Sequence, residues 1–359
     1  MQLTTKLVVS SSVLLTCVGA LAIWTAQGQP TQQKPSGQQA NSRAPSTVPA
    51  TAQTPPYPPP LITPAEFDRW MKERSNWGRW GKNDQLGAIN LITAAKRKQA
   101  LAVVKDGISV SLAHRPLTEK ALDNPEPFVR ETGLSSNRDG TGFTSAHDRY
   151  SVYYHGRAHS HLDALCHYFY KGQMYNGFSI KEITPEGGCA KDGVQNLQNG
   201  ILTRGVLIDI PRLKGVPYLE PGTPVFPEDI EAWEKKAGIK VGAGDAIFLR
   251  TGRWAKRAKL GPSEGFAGYH AKVAPWLKDR DVAIVAGDAV QDVGVLPGVG
   301  QPIHTFAIAG LGANILDNLD LEAVAETAAR LNRWEFLLTL APIPVEGGTG
   351  SPLNPIATF

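Results

Sequence analysis

Hydrophobic and polar positions along the chain follow two periods, and the segments switch repeatedly from one period to the other. Short apolar or alternating runs are typical of strands, and apolar residues spaced three and four apart are typical of amphipathic helices. Strands are predicted at residues 107–113, 205–210, 245–250, 282–286 and 336–340, and helices at residues 93–104, 227–236 and 321–332. A further helix is predicted to begin with Thr63 as N-cap, Pro64 at its first position and Glu66 completing a capping box. This order of elements predicts an α/β or α+β domain with a substantial mixed central sheet.

One long internal stretch follows neither period. Residues 124–148 are polar and contain both glycine and proline, which predicts a long loop that leads into the next segment. Long loops of this kind often serve as functional lids.

The N-terminal residues differ in character from the rest. Lys6 precedes an apolar run at residues 7–23, and small residues at 20–22 and 26–28 offer cleavage sites, so residues 1–28 are predicted to be a signal peptide. The alternative is an uncleaved membrane anchor, because the run approaches the roughly 18–20 residues that span a bilayer. Residues 29–60, rich in Gln, Pro, Ser, Thr and Ala, predict a disordered linker before a domain at 61–359. The protein is therefore expected in the periplasm or outside the cell.

Composition and charge narrow the class of protein. The 359-residue chain carries eight Trp, 42% hydrophobic residues and a net charge of only +4, which indicates a globular protein. It has no Lys/Arg-rich run, so no nucleic-acid partner is expected. Cleavage of the signal would leave Cys166 and Cys189, which could pair in an oxidising compartment, although the sequence favours Cys166 as a small buried packing residue.

The chemistry concentrates between residues 155 and 167. Within these thirteen residues the chain has four histidines and one carboxylate, namely His155, His159, His161, Asp163 and His167. Imidazole and carboxylate groups are the ordinary ligands of Zn²⁺ and Mn²⁺. In an extended segment, His159, His161 and Asp163 would share one face, and a turn after Asp163 could bring His167 back to them. We therefore predict a divalent metal site here.

Two distant residues are candidates to complete this site. His304 and Asp317 could converge if the intervening residues form a helix and then a strand, although each taken alone is more often structural. Asp288 and Asp292 follow a predicted buried strand and are either site residues or turn carboxylates. Arg253 follows another strand and meets either an anionic substrate or a surface carboxylate.

Aromatic residues near these segments are candidates for substrate contacts. They are Trp77, Trp80, Tyr168 and Phe169. For the two tryptophans, packing of their loop onto the core is the alternative. The chain has neither a phosphate-binding glycine loop nor a Gly-x-Ser-x-Gly elbow, which disfavours nucleotide binding and serine-hydrolase chemistry.

The segment from His161 to His167 resembles the second half of a known signature, His-x-Gly-Thr-His-x-Asp-x-Pro-x-His. That signature belongs to the cyclase-like metal-dependent hydrolases, which include bacterial kynurenine formamidases and isatin hydrolases. The similarity runs from about Trp77 to the C-terminus and includes the closing residues 350–352. It implies a swivelling β/β/α fold, usually dimeric, and a substrate that is a small amide, lactam or related cyclic carbonyl compound.

The resemblance also implies roles for individual residues. His161 and Asp163 would bind the catalytic metal, His304 and Asp317 would complete that site or form a second one, and His167 would be a ligand or the general acid/base. Metal-activated water would attack the substrate, with His167 moving the proton.

The sequence departs from the signature in the metal-binding half. Arg157 stands at the first His, residues 159–160 replace Gly-Thr, Leu165 replaces Pro, and Asp317 replaces Glu. Because an arginine cannot ligate a cation, the number of ions stays open, with His159 and His155 as the alternative ligands. A periplasmic binding or metal-storage protein and a cyclase or dehydratase on the same scaffold are the rival functions.

Overall fold

The structure is a computed structural model that describes residues 62–359. The predicted signal peptide at residues 1–28 and the predicted linker at 29–60 lie outside these residues. Among the described residues, no helix combines the length and the apolar character needed to cross a bilayer.

The described residues alternate strands with helices. The helices are α1 Pro64–Arg74, α2 Ala94–Leu101, α3 Ile210–Lys214, α4 Pro227–Ala237, α5 Arg253–Leu260, α6 Val273–Asp279, α7 Pro302–His304 and α8 Glu322–Leu331, with a π-helical turn at Thr305–Leu311. The strands are β1 Ser109–Ser111, β2 Val129–Ser136, β3 Phe143–Ser151, β4 His161–Asp163, β5 Ile183–Thr184, β6 Gly188–Cys189, β7 Ile201–Asp209, β8 Pro224–Val225, β9 Ala246–Arg250, β10 Gly268–Tyr269, β11 Ile284–Gly287, β12 Asn314–Asp317, β13 Glu335–Leu340, β14 Gly350–Pro352 and β15 Ile356–Thr358.

A nine-stranded mixed sheet forms the centre of the fold. Its order is β1-β15-β13-β7-β9-β11-β12-β4-β14. The four strands from β7 to β12 run parallel, and antiparallel strands continue the sheet on both sides. The parallel strands are almost wholly buried, which explains their continuous apolar sequences. The predicted α/β class with a mixed sheet is confirmed, as are the five predicted strands, although β1 is shorter than expected.

The predicted helices are also confirmed. They could be predicted because the local sequence determines where each helix begins or ends. The Thr63 hydroxyl accepts a hydrogen bond from the Glu66 amide at 3.1 Å and so caps α1. Thr93 caps α2 in the same way, bonding the Lys96 amide at 3.1 Å. The C-terminus of α4 is set by Gly238, whose φ of 67° is the left-handed conformation that glycine adopts without strain.

The long loop predicted at residues 124–148 is wrong in part, because β2 and β3 form an antiparallel hairpin there. Both strands are exposed along almost their whole length, and Leu134, Phe143 and Tyr150 are among the most exposed large side chains. Since neither face packs on the core, the sequence has no apolar alternation, and the pattern could not reveal a strand.

Cys166 and Cys189 form a disulfide bond, which the sequence had left open. Both residues are buried, and the bond joins the segment after β4 to β6. Closing a loop of 23 residues typically stabilises a fold by about 3 kcal/mol. The bond therefore also restrains the backbone that carries His167.

Asp192 lies beside this disulfide, and no hydrogen bond within residues 62–359 satisfies its carboxylate. Its backbone oxygen accepts the Cys166 amide at 3.1 Å, and its side chain is only 1% exposed. Burial, with a contribution from Asp84, raises the pKa of Asp192 from 3.8 to about 8. Between these two pKa values the folded protein keeps a proton that the unfolded chain has released. The free energy of unfolding therefore falls as the pH rises from 3.8 to about 8.

Replacing Asp192 by asparagine removes this cost without changing the shape of the side chain. We expect Asp192→Asn to increase the free energy of unfolding by about 2 kcal/mol at pH 8, with little change at pH 4, where the carboxyl group is neutral in the folded state. Thermal or denaturant unfolding of both proteins at the two pH values measures this. An equal gain at both pH values, or a loss at pH 8, contradicts it.

Candidate metal centre

The predicted site forms where β4 lies between β12 and β14. The register pairs His161 with Asp317 and Asp163 with Ile315, while Gly350 of β14 lies opposite Asp163. This position is at the carboxyl ends of the parallel strands β11 and β12, where ligand sites of α/β sheets commonly form. A side chain at Gly350 would not fit, because its Cβ would lie 2.3 Å from the Leu162 carbonyl oxygen.

A first group of metal-binding atoms comes from His155, His161 and Asp163. The Asp163 Oδ1 atom lies 3.0 Å from His155 Nδ1 and 3.3 Å from His161 Nε2. The ligand atoms of all three residues lie within 4.8 Å of one another. His155 Nδ1 and Asp163 Oδ1 are buried and face each other, and within residues 62–359 neither atom has a further hydrogen-bond partner, so a cation could lie between them.

A second group comes from Asp163, His304 and Asp317. His304 Nε2 lies 3.1 Å from Asp317 Oδ2 and 3.8 Å from Asp163 Oδ2, and all three residues are buried. Asp163 therefore presents one carboxylate oxygen to each group. A shared carboxylate between two ligand sets is the arrangement expected of a two-metal site.

Hydrogen bonds orient each histidine from behind. His161 Nδ1 bonds the backbone oxygen of His159 at 2.8 Å, and His304 Nδ1 bonds Asp292 Oδ2 at 2.6 Å. Both rings therefore direct their Nε2 atoms toward the carboxylates, and a bound cation would take the place of a proton at Nε2, as at metal-binding histidines. His155 has the opposite orientation, because its Nε2 bonds the Thr349 hydroxyl at 2.9 Å and its Nδ1 faces the site.

The carboxylates are oriented as well. Gln291 donates its side-chain amide to Asp317 Oδ1 at 3.0 Å, which leaves Oδ2 to face His304. Asp292 accepts the backbone amides of Ile303 and His304 at 2.6 and 3.1 Å, so it caps α7 and holds the ring of His304. Asp288 and Asp292 were both candidates for the site, and Asp292 supports it by orienting His304. Asp288 instead binds the backbone of residues 251–253.

The charges around the two ligand groups favour the binding of a cation. Burial opposes a charge on His304, but Asp317 and Asp292 outweigh burial and raise the pKa of His304 well above its ordinary value. Burial likewise opposes a charge on Asp163, but its contacts with His155 and His161 hold its pKa well below the ordinary range. The same carboxylate field that draws a proton to the histidines favours a divalent ion among them. The residues present therefore fit a metal.

His167 lies beside the two groups rather than within them. Its ring stacks on His155 at a centroid distance of 3.8 Å, and its Nε2 is 3.8 Å from Asp163 Oδ1. Burial, aided by the neighbouring histidines, lowers the pKa of His167 to about 4, so its ring is neutral and can accept a proton at pH 7. With 26% of its side chain exposed, it can reach a molecule in the cavity.

His159 is not brought to the site. Residues 155–159 form bends, and the strand begins only at His161, so the alternation that would place His159 beside His161 does not apply. The His159 ring instead packs against Phe128, and its Nε2 lies 3.4 Å from the backbone oxygen of Glu126. His155, and not His159, lies with His161 and Asp163 in the first ligand group.

The ligand groups line a cavity of about 920 Å³. Of the four aromatic residues proposed to contact substrate, the structure places Tyr168 there, hydrogen-bonded to Gln301 and 4.8 Å from the ring of His304. Trp77, Trp80 and Phe169 do not line it. Trp77 donates its indole N–H to Ala309 O at 2.6 Å and packs against the core, whereas the ring of Trp80 lies under the guanidinium of the neighbouring Arg79. The cavity wall that the sequence did not reveal includes Phe266, Val290, Val293 and Val295.

The hydrogen bond from Thr349 to His155 can be tested directly. We expect Thr349→Val to weaken the ion held by the first group about 10–100-fold, because the His155 ring loses the partner that orients it. Competition with a chelator of known affinity measures this, and Thr132→Val on the exposed hairpin is the control. Unchanged affinity in Thr349→Val would show that the bond does not support a ligand.

The chain is similar to known proteins in sequence and in fold. A family model described as putative cyclase matches residues 48–291. The crystal structure of a novel cyclase is 29% identical with a TM-score of 0.72, over 80% of this chain and 99% of that chain. Isatin hydrolase A from Ralstonia solanacearum is 21% identical with a TM-score of 0.49, over 74% and 95% of the two chains. A protein described as a predicted metal-dependent hydrolase from Bacillus stearothermophilus is 16% identical with a TM-score of 0.44, over 70% of this chain and 98% of that chain. No curated protein matches significantly.

Proposed function

Because the chain belongs to the cyclase family, we propose that it is a metal-dependent hydrolase that acts on a small amide, lactam or cyclic carbonyl compound. The observation that carries the proposal is the position of Asp163, whose two oxygens face two separate sets of ligands. A binding or storage protein needs the ligands alone. Here a neutral histidine, His167, also lies against them and opens to the same cavity.

Two groups of residues would hold the ion or ions, which we propose to be Zn²⁺ or Mn²⁺. His155 and His161 with Asp163 form one group, and His304 and Asp317 with Asp163 form the other. A bound divalent ion supplies a Lewis acid and lowers the pKa of water from ~16 toward 7.

The other residues of the cavity bind substrate and move the proton. His167 takes a proton at Nε2 during attack and returns it to the leaving nitrogen or oxygen. Tyr168, oriented by Gln301, and Phe266 offer faces for a flat or aromatic group. Burial of His161, Asp163, His304 and Asp317 strengthens the electrostatic interactions at the site.

Hydrolysis is tested with formanilide and isatin in water enriched in ¹⁸O. The purified chain, loaded with Zn²⁺ or Mn²⁺, should release products that carry one solvent oxygen, and a chelator should stop the reaction. Product without solvent oxygen would favour the cyclase or dehydratase alternative. Bound metal without turnover of amides, lactams or imides would favour the binding protein.

We also propose that the protein works in the periplasm or outside the cell, as a homodimer. The Cys166–Cys189 disulfide supports an oxidising compartment. The exposed side chains of Leu134, Phe143 and Tyr150 on the β2–β3 hairpin support self-association, since such apolar surface is commonly covered.

A further inference from the structure

Arg157 stands where the resembling signature has its first metal-binding histidine, and it lines the cavity that holds the ligand groups. It is the only lysine or arginine among the described residues that line this cavity. Its side chain is exposed, and no carboxylate of residues 62–359 lies within 4.0 Å of its guanidinium. Glu264 borders the same cavity but does not pair with it. The cavity therefore contains a guanidinium whose hydrogen-bond donors are available to a ligand.

The backbone of Arg157 is fixed relative to the metal centre. Arg253 donates to the Arg157 backbone oxygen, and Arg253 in turn donates to Asn318 Oδ1 at 2.7 Å. Asn318 directly follows the ligand Asp317, and its side-chain amide also bonds Gly156 O at 2.8 Å. The bend that carries Arg157 is thereby tied to the end of β12, so its guanidinium extends from a fixed point near the ligands.

An aromatic wall lies beside this guanidinium. The ring of Phe266 is 5.9 Å from the Arg157 guanidinium carbon and 4.6 Å from that of Arg253. Arg253 is buried, which lowers its pKa to about 10, so it remains charged at neutral pH. Its two terminal nitrogens donate to Asn318 and to the Arg157 backbone, and it adds positive potential behind the ring of Phe266. An aryl group on Phe266 would place a substituent of its ring next to Arg157.

We propose that Arg157 binds a carboxylate on the substrate, so that the enzyme selects anionic aryl amides or their cyclic equivalents. This inference rests on the proposed hydrolase function and specifies its substrate class. A planar guanidinium pairs with a carboxylate through two parallel hydrogen bonds, which gives both affinity and orientation. Arg157 thus recognises the substrate. It cannot bind the metal, and His155 serves as a ligand instead.

The test compares two probes that differ only in the carboxylate, 2-formamidobenzoate and formanilide. We expect Arg157→Gln to lower kcat/KM for 2-formamidobenzoate about tenfold or more, mainly through KM, and to change kcat/KM for formanilide less than twofold. Arg69→Gln removes the same charge from the exposed surface of α1 and should affect neither substrate. Equal effects of Arg157→Gln on both substrates would overturn the inference.

A binding measurement separates this inference from the proposed function. Calorimetric titration of benzoate into the metal-loaded protein should show affinity that falls about tenfold or more in Arg157→Gln, at unchanged metal content. Benzoate held by the metal alone would bind the variant as tightly as the wild type, and that result would overturn the inference. If neither amide is hydrolysed, the proposed function fails, and the titration still decides whether Arg157 is an anion site.

Discussion

Replacing Asp163 by asparagine is expected to remove bound metal and to lower kcat by at least about a thousandfold, equivalent to ~4 kcal/mol of barrier. Asp163 faces His155 and His161 through one oxygen and His304 through the other, so its loss affects both ligand groups together. Asparagine keeps the shape of the side chain but supplies neither the negative charge nor the second oxygen. Metal analysis of the purified variant and its rate of formanilide hydrolysis measure the effect.

The matched control is Asp192→Asn, which makes the same substitution at another buried carboxylate close to the disulfide. This variant should keep its metal and its activity, because Asp192 belongs to neither ligand group. Retention of full metal content and turnover in Asp163→Asn would show that the site is assigned to the wrong residues.

The second large effect concerns the ligand that replaces the histidine of the signature. We expect His155→Ala to lose the ion of the first group, to keep the ion held by Asp163, His304 and Asp317, and to lose about a hundredfold in kcat/KM. His159→Ala should keep both ions, since its ring packs against Phe128 away from the cavity. Metal content per chain and kcat/KM for the two variants measure this.

If His159→Ala loses the ion of the first group and His155→Ala keeps it, His159 is the ligand. The bends at residues 155–159 would then adopt another conformation in the metal-loaded protein. Loss of both ions in His155→Ala would mean instead that the two groups bind metal only together, as one cooperative centre.

The sequence revealed those parts of the site that depend on regular structure. His161 and Asp163 lie on the same face because β4 begins at the first of them and alternates through the second. His304 and Asp317 converge to 3.1 Å because a helical turn and then a strand connect them, as the pattern predicted.

The parts that depend on irregular backbone or on tertiary contacts could not be predicted. The alternation that placed His159 beside His161 fails because the strand does not extend back that far. Trp77 is an aromatic residue of the kind that lines pockets, and only its contact with Ala309 shows that it packs on the core instead. Phe266 carries no local signal, since it reaches the cavity through the packing of a distant loop.

The β2–β3 hairpin illustrates the same limit for the fold. A strand is recognised in sequence by the side chains that it buries, and this hairpin buries almost none. The buried parallel strands β9 and β11, in contrast, were predicted to within two residues of their observed ends, because burial on both faces requires an unbroken apolar run, whereas β7 begins four residues before the predicted start.

The most direct test of the metal centre is the number of ions bound per chain after reconstitution of the purified protein with Zn²⁺ or Mn²⁺. A centre bridged by Asp163 predicts two ions per chain, measured by inductively coupled plasma mass spectrometry on the dialysed protein. One ion per chain would contradict the bridging role of Asp163. Binding of none would contradict the metal centre itself.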